Sequence, residues 1–301
     1  MLSSVGVVHI DGNGVGAIMR DLGCAHRAVQ KFGVSTISDE ESKGLQSFIM
    51  VVNKRLDKTV KDAIALSWYD VQELTPKDAQ EPTPKTVVPI VPVLVGGDDV
   101  TVYTDGRYAI PFAESYVRHY EQLTGEDELL KQLAVVAGAE TAGPLTASAG
   151  VAIVGRNFPF HIAYDLAEGL VSRGKKLGKK KDTVPCSTID FHVLRDATVL
   201  DPDDTLDEYK GRTQRPFLIG CYAPDRIGDA TTTSSEKAPT AKPQPLSSWA
   251  RILQAVAAFD GKKPDDPTQT TGDPFPRARA NRIVKLLADY VTVSKDDKAR
   301  S

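Results

Sequence analysis

Two short acidic motifs carry the residues most able to do chemistry. Asp11-Gly12-Asn13-Gly14 follows the β-branched run 5–10, and Gly96-Gly97-Asp98-Asp99 joins the apolar run 87–95 to the run 100–103. Clustered carboxylates repel one another and lose hydration together, and a hard divalent cation with oxygen ligands offsets that cost. If Asp11, Asp98 and Asp99 converge, they form a site for Mg2+, or Mn2+ in its place. Ile10, the residue before Asp11, is counted in that ligand set. Two such ions about 4 Å apart polarise a triphosphate and activate an attacking hydroxyl. Gly12, Gly14, Gly96 and Gly97 have no side chains, so their amides can approach phosphate oxygens closely. Taken singly, each motif also reads as an ordinary turn, because Gly, Asn and Asp dominate turns. The alternating oxygen ligands and distal glutamate of an EF-hand loop are missing.

The elements on either side decide whether the motifs can meet. Residues 5–10 read as a strand entering a tight loop. Ser38 and Glu41 form a capping-box pattern, and Leu45, Phe48, Ile49, Val52, Leu56, Val60 and Ile64 give helical spacing to about residue 69. Residues 87–95 and 100–103 form a hairpin around the glycine turn. Pro89 and Pro92 cannot donate to a ladder, so the first of these strands belongs at a sheet edge or carries a bulge. A helix over 111–134, a strand over 145–154, a helix over 159–180 and a strand over 188–194 follow. The expected fold is α/β (α+β): a ferredoxin-like βαββαβ core with an extra helix and strand. In such a sheet the first strand lies antiparallel beside the third, which sets Asp11 next to the hairpin tip.

Beyond residue 222 the composition turns to Thr, Ser, Pro, Ala and Lys. The expected organisation is a domain over 1–222, a flexible linker over 223–245 and a helical appendage over 246–301 built on stretches 246–259 and 277–291.

At 301 residues and a formal net charge of −3, the chain carries one main core and no global attraction to nucleic acid or anionic lipid. The positive charge is local: Arg173, Lys175, Lys176, Lys179, Lys180 and Lys181 fall close together near the end of a helix. Lys176 and Lys179 are the expected polyphosphate ligands, against the alternative of a solvated helix end. The same cluster can touch a nucleic-acid backbone, but no interleaved aromatic platform supports single-strand binding. Ser148 opens the Ser-Ala-Gly strand and is a further candidate to face nucleotide, although a small packed residue is the commoner explanation. His9, His26, His119, His161 and His192 show no metal-ligand spacing. The acidic run Asp201, Asp203, Asp204, Asp207 and Glu208 reads as a solvated loop. Three cysteines without C-x-x-C spacing, no leader pattern and no membrane-length apolar run give a cytoplasmic expectation.

With these residues in view, the sequence resembles the palm domain in the large subunit of type III CRISPR complexes, the family that makes cyclic oligoadenylates from ATP. The resemblance rests on Asp11-Gly12-Asn13-Gly14, on the Gly96-Gly97-Asp98-Asp99 hairpin and on Ser148-Ala149-Gly150-Val151-Ala152-Ile153. The run Ile189-Asp190-Phe191-His192-Val193-Leu194 and the later Arg215-Pro216-Phe217 extend it over most of residues 1–220. Diguanylate cyclases and class III nucleotide cyclases are similar in the same core. The resemblance implies that Asp11 and Asp98 bind metal, that Asp99 assists at the metal or the attacking hydroxyl, and that lysines of the later helix neutralise triphosphate. Asn13 joins the nucleotide-binding set with its loop. It further implies ATP or a related triphosphate as substrate, a cyclic oligonucleotide or dinucleotide messenger read by a downstream effector, and a role in antiviral defence. No His-Asp nuclease domain, second palm or four-cysteine zinc insertion is recognisable, so the expected form is free-standing and a homodimer with facing sites. The alternative is a non-catalytic nucleotide-binding or scaffold palm within a CRISPR-type complex.

Overall fold

The computed structural model of the chain describes residues 4–31, 44–74, 88–178, 186–194, 206, 213–220, 248–264 and 266–286. It divides into two compact units, residues 1–248 and 249–301. Ser38, Glu41, Lys179, the acidic run and the linker over 223–245 all lie outside the described residues.

The first unit begins with β1 (Ser4–Gly12), two short helices α1 (Val15–Arg20) and α2 (Leu22–Lys31), and the long α3 (Leu45–Glu73). The hairpin β2 (Ile90–Gly96) and β3 (Asp99–Asp105) follows, then α4 (Gly106–Glu126), α5 (Glu128–Val136) and β4 (Ala147–Gly155). The unit continues with α6 (Phe160–Gly178), β5 (Ser187–Val193) and β6 (Phe217–Ile219). Six strands form one sheet in the order β2-β3-β1-β4-β5-β6. β1 is antiparallel to both β3 and β4, and β4 runs parallel to β5. This is the anticipated ferredoxin-like palm core with its extra helix and strand.

β1 is buried on both faces because helices cover both. Val5 and Val7 pack with Ala163, Leu166, Ala167 and Leu170 of α6. On the opposite face, a Cβ at Gly6 would collide with Ala109 of α4, so that helix lies directly against the strand. α3 brings Phe48, Val52, Leu56 and Val60 into the core, whereas Leu45, at its start, is 45% exposed. Each fully buried aliphatic side chain contributes about 1.5–3 kcal/mol of transfer free energy. Pro92 behaves as anticipated: β2 is an edge strand and its register slips between Pro92 and Leu94, whereas the strand begins at Ile90 and leaves Pro89 before it.

Other elements differ from the sequence reading. The single helix expected over 111–134 is two. The Asp127 carboxylate accepts hydrogen bonds from the main-chain N–H groups of Leu129 and Leu130, ending α4 and starting α5. α4 itself starts earlier, capped by Asp105, and carries Pro111 inside. α1 and α2 follow a left-handed Gly14 (φ 85°) where no element was anticipated.

The second unit contains α7 (Trp249–Phe259), a short antiparallel pair β7 (Lys262–Lys263) and β8 (Asp266–Thr270), and helical residues 277–286. The pair falls between the two stretches, 246–259 and 277–291, on which the helical appendage was expected to be built. Among the described residues no helix is long and apolar enough to cross a membrane.

Candidate metal centre

The register of β1 with β3 makes Asp11 and Asp99 direct partners across the ladder. Gly96 pairs with Asp99, so Gly97 and Asp98 form a two-residue turn, and Gly97 takes the left-handed conformation (φ 63°) that favours glycine. Asp98 folds back over Gly12: a Cβ on that residue would stand 2.8 Å from the Asp98 Cβ and 3.1 Å from its Oδ2. One carboxylate oxygen from each of Asp11, Asp98 and Asp99 then lies within 4.8 Å of the other two. The convergence expected from topology is therefore present.

This crowding sets the electrostatics. Burial, then the charges of Asp11 and Asp99, push the Asp98 carboxyl up to about 6. Burial, followed by the Asp11 charge, raises Asp99 as well. The Lys175 ammonium donates a hydrogen bond to Asp11 Oδ2 and is the cation that α6 brings to the cluster. Three converging carboxylate oxygens with excess negative charge match what a hard divalent ion needs, so these residues fit Mg2+ or Mn2+. Ile10 has its side chain in the core, leaving only its main chain for such a site.

The remaining candidates separate. Lys175, rather than Lys176, reaches the carboxylates; Lys176 is exposed. The phase of α6 is set by Gly174 and Gly178, whose missing side chains let the helix close on Thr188 and Cys186. Asn13 and Ser148 are buried and engaged within the protein. The Asn13 amide donates to Thr146 Oγ1 (3.1 Å) and the Cys186 carbonyl (3.4 Å), and its Oδ1 accepts from Ser148 Oγ (3.0 Å). Ser148 Oγ in turn accepts from Thr188 Oγ1 at 3.0 Å. Both side chains tie the loop after β1 to β4 and β5. Gly14 is a close-contact residue too, since a Cβ there would lie 2.5 Å from that of Ala137. Gly96 is different: it is exposed, and a Cβ there would meet nothing within 4 Å.

His9 was not singled out from the sequence. It stands two residues before Asp11 on the same face of β1, with Nδ1 3.0 Å from Thr101 Oγ1 and its ring 5.3 Å from that of Tyr164. Burial lowers its basicity. Its position at i−2 from an acidic strand end was the available signal.

Comparisons with known proteins bear on the family of the chain. No curated protein matches the sequence. Among similar solved structures is one described as "Crystal structure of Csm1-Csm4 cassette in complex with cA4", with 16% identity and a TM-score of 0.32. The match covers 64% of this chain and 21% of that one, so the chain spans about a fifth of its length. The sequence matches the family described as Cas10/Cmr2, second palm domain, over residues 4–185. With that match spanning more than half of its length, the chain belongs to the Cas10/Cmr2 second-palm-domain family.

Proposed function

We propose that the chain is a metal-dependent nucleotidyl cyclase that joins ATP, or a related nucleoside triphosphate, into a cyclic oligonucleotide or dinucleotide. The observation that carries this reading is the convergence of Asp11, Asp98 and Asp99 within 4.8 Å at paired strand ends. In the reaction, a ribose hydroxyl of one nucleotide loses its proton to solvent and bonds to the α-phosphorus of another, the bond from that phosphorus to the α–β bridging oxygen breaks, and pyrophosphate leaves. A divalent cation held by the three carboxylates supplies charge neutralisation and polarisation of the triphosphate. Lys175 stands beside Asp11, and in this reading its ammonium meets phosphate oxygens. The open space over Gly96 and Gly97 leaves their main chain accessible to a phosphate-bearing ligand.

One palm supplies one set of carboxylates, so two nucleotides meet most simply where two copies face each other. A homodimer is the assembly this reading requires. The 1–222 segment is the catalytic domain in this reading, and the messenger product addresses a separate effector in antiviral defence, within a CRISPR-type context.

Incubation of the purified chain with each nucleoside triphosphate and Mg2+ or Mn2+, with products resolved by mass spectrometry, tests the proposal. Cyclic products and pyrophosphate are expected from the wild type and are absent in the Asp98→Ala/Asp99→Ala variant. Products that persist unchanged in that variant refute the site. Nucleotide binding without turnover, across metals and protein concentrations, assigns a binding or scaffold role instead.

A further inference from the structure

Two buried hydroxyls lie below the carboxylate cluster. Tyr116 and Tyr120 of α4 are each only 1% exposed, and among the described residues neither phenol oxygen has a hydrogen-bond partner. A buried hydroxyl left unpaired costs about 1–3 kcal/mol, so two in one helix call for a compensating role.

Their position follows from how α4 lies on β1. Ala109 sits against Gly6, and Phe112, Ala113, Tyr116 and Tyr120 continue the same buried stripe at helical spacing. Tyr120 is eleven residues past Ala109, about 16 Å along the helix, while Gly12 is about 20 Å along β1 from Gly6. The stripe therefore ends beneath Gly12, over which Asp98 is folded. Consistent with this, both phenols feel the Asp98 charge; Tyr120 also feels Asp11, and Tyr116 feels Asp99. Burial, foremost, raises both, so they remain protonated donors. The rings of Tyr116 and Tyr120 stack at 6.0 Å with an interplanar angle of 13°. Phe112, one turn earlier in the stripe and further from the carboxylates, fills its place without a hydroxyl. Packing alone is thus served by phenylalanine.

Asp98, folded over Gly12, is a partly buried carboxylate that accepts a hydrogen bond from its own main-chain N–H. Two donors without acceptors thus lie on the stripe that runs towards Gly12, over which Asp98 is folded with spare lone pairs. Carboxylates that ligate a metal are commonly held by hydrogen bonds on the oxygen that does not face the ion. We infer that Tyr116 and Tyr120 are positioning residues whose hydroxyls donate to Asp98 when its other oxygen takes a divalent cation. This rests on the proposed cation site, and it extends that site one layer into the protein, to residues that touch neither metal nor substrate.

The test is Mn2+ titration of the full chain, read by electron paramagnetic resonance of the free ion, with melting temperatures in EDTA beside it. Tyr116→Phe/Tyr120→Phe is expected to lose about tenfold or more in Mn2+ affinity, with each single variant losing part of that. Its metal-free melting temperature is expected to equal or exceed the wild type, because no hydrogen bond is lost. In an Asp98→Asn background the same pair is expected to cause no further loss. Affinity within twofold of wild type overturns the assignment, as does an equal loss with and without the Asp98 carboxylate. A wild-type chain that does not bind Mn2+ overturns the cation site itself, and this inference with it.

Discussion

Gly12→Ala places one methyl group between the two acidic motifs, and its consequence can be worked from the coordinates. The new Cβ would lie 2.8 Å from the Asp98 Cβ and 3.1 Å from both Asp98 Oδ2 and Val15 Cγ2. Carbon atoms rest at about 3.5–4.0 Å, so Asp98 or β1 must give way by about 1 Å. Overpacking of this kind costs about 1–3 kcal/mol. A change of 1 kcal/mol moves the melting temperature of a domain of 150–250 residues by about 2–4 °C, so a fall of about 2–12 °C is expected by calorimetry in EDTA. The larger effect is on the site, because a ligand misplaced by about 1 Å costs on the order of 100-fold in rate. Gly96→Ala is the paired control. It meets no atom within 4 Å and should leave stability unchanged. If an incoming phosphate approaches the Gly96 main chain, the control still raises KM for nucleotide. A Gly12→Ala chain with wild-type stability and Mn2+ affinity would refute the claim that Gly12 exists to let Asp98 close.

Other predictions bear on charge and on the loop network. Asp98 has its carboxyl raised from 3.8 to about 6, so its ionisation destabilises the metal-free fold. That penalty is absent below about pH 3.8, where the group is protonated folded and unfolded, and is fully present above about pH 6. In EDTA, Asp98→Asn should therefore melt with the wild type at pH 3.5 and above it at pH 7, whereas Mn2+ at pH 7 reverses the order. Lys175→Met removes the cation beside Asp11 and should tighten Mn2+ binding while raising KM for nucleoside triphosphate severalfold. Lys176→Met, at an exposed position, should change neither quantity in the same assays. Ser148→Ala strips one partner from both Asn13 and Thr188 and should lower stability by about 1–3 kcal/mol in urea unfolding, with KM unchanged if its role is positional.

The carboxylate cluster was legible because it depends on main-chain register. The β-branched run at 5–10, the hairpin around the glycine turn and edge-seeking prolines suffice to pair Asp11 with Asp99. What was hidden depends on side-chain phase and on contacts distant in sequence. A helix advances about 100° per residue, so a dense lysine run cannot reveal which member faces the sheet; the closures of Gly174 and Gly178 on β5 decide it. Asn13 entered the nucleotide-binding set with its loop through the family resemblance, and Ser148 stood beside the commoner reading of a small packed residue; the structure shows both engaged within the protein. Their partners Thr146, Thr188 and Cys186 come from strands or loops far along the chain. The break at Asp127 lies between apolar stretches that resume at Leu129, and the extended backbone of Asp127 with its capping bonds marks the boundary. α1 and α2 are short enough that periodicity alone offers little signal.

Anomalous diffraction from crystals soaked in Mn2+ and a non-hydrolysable nucleoside triphosphate tests the shared cation site most directly. The expected result is a peak about 2.1–2.2 Å from an oxygen of Asp11 and of Asp98, with Asp99 in the same cluster and Lys175 turned towards phosphate. A peak ligated elsewhere, or none at nucleotide occupancy, would contradict the account.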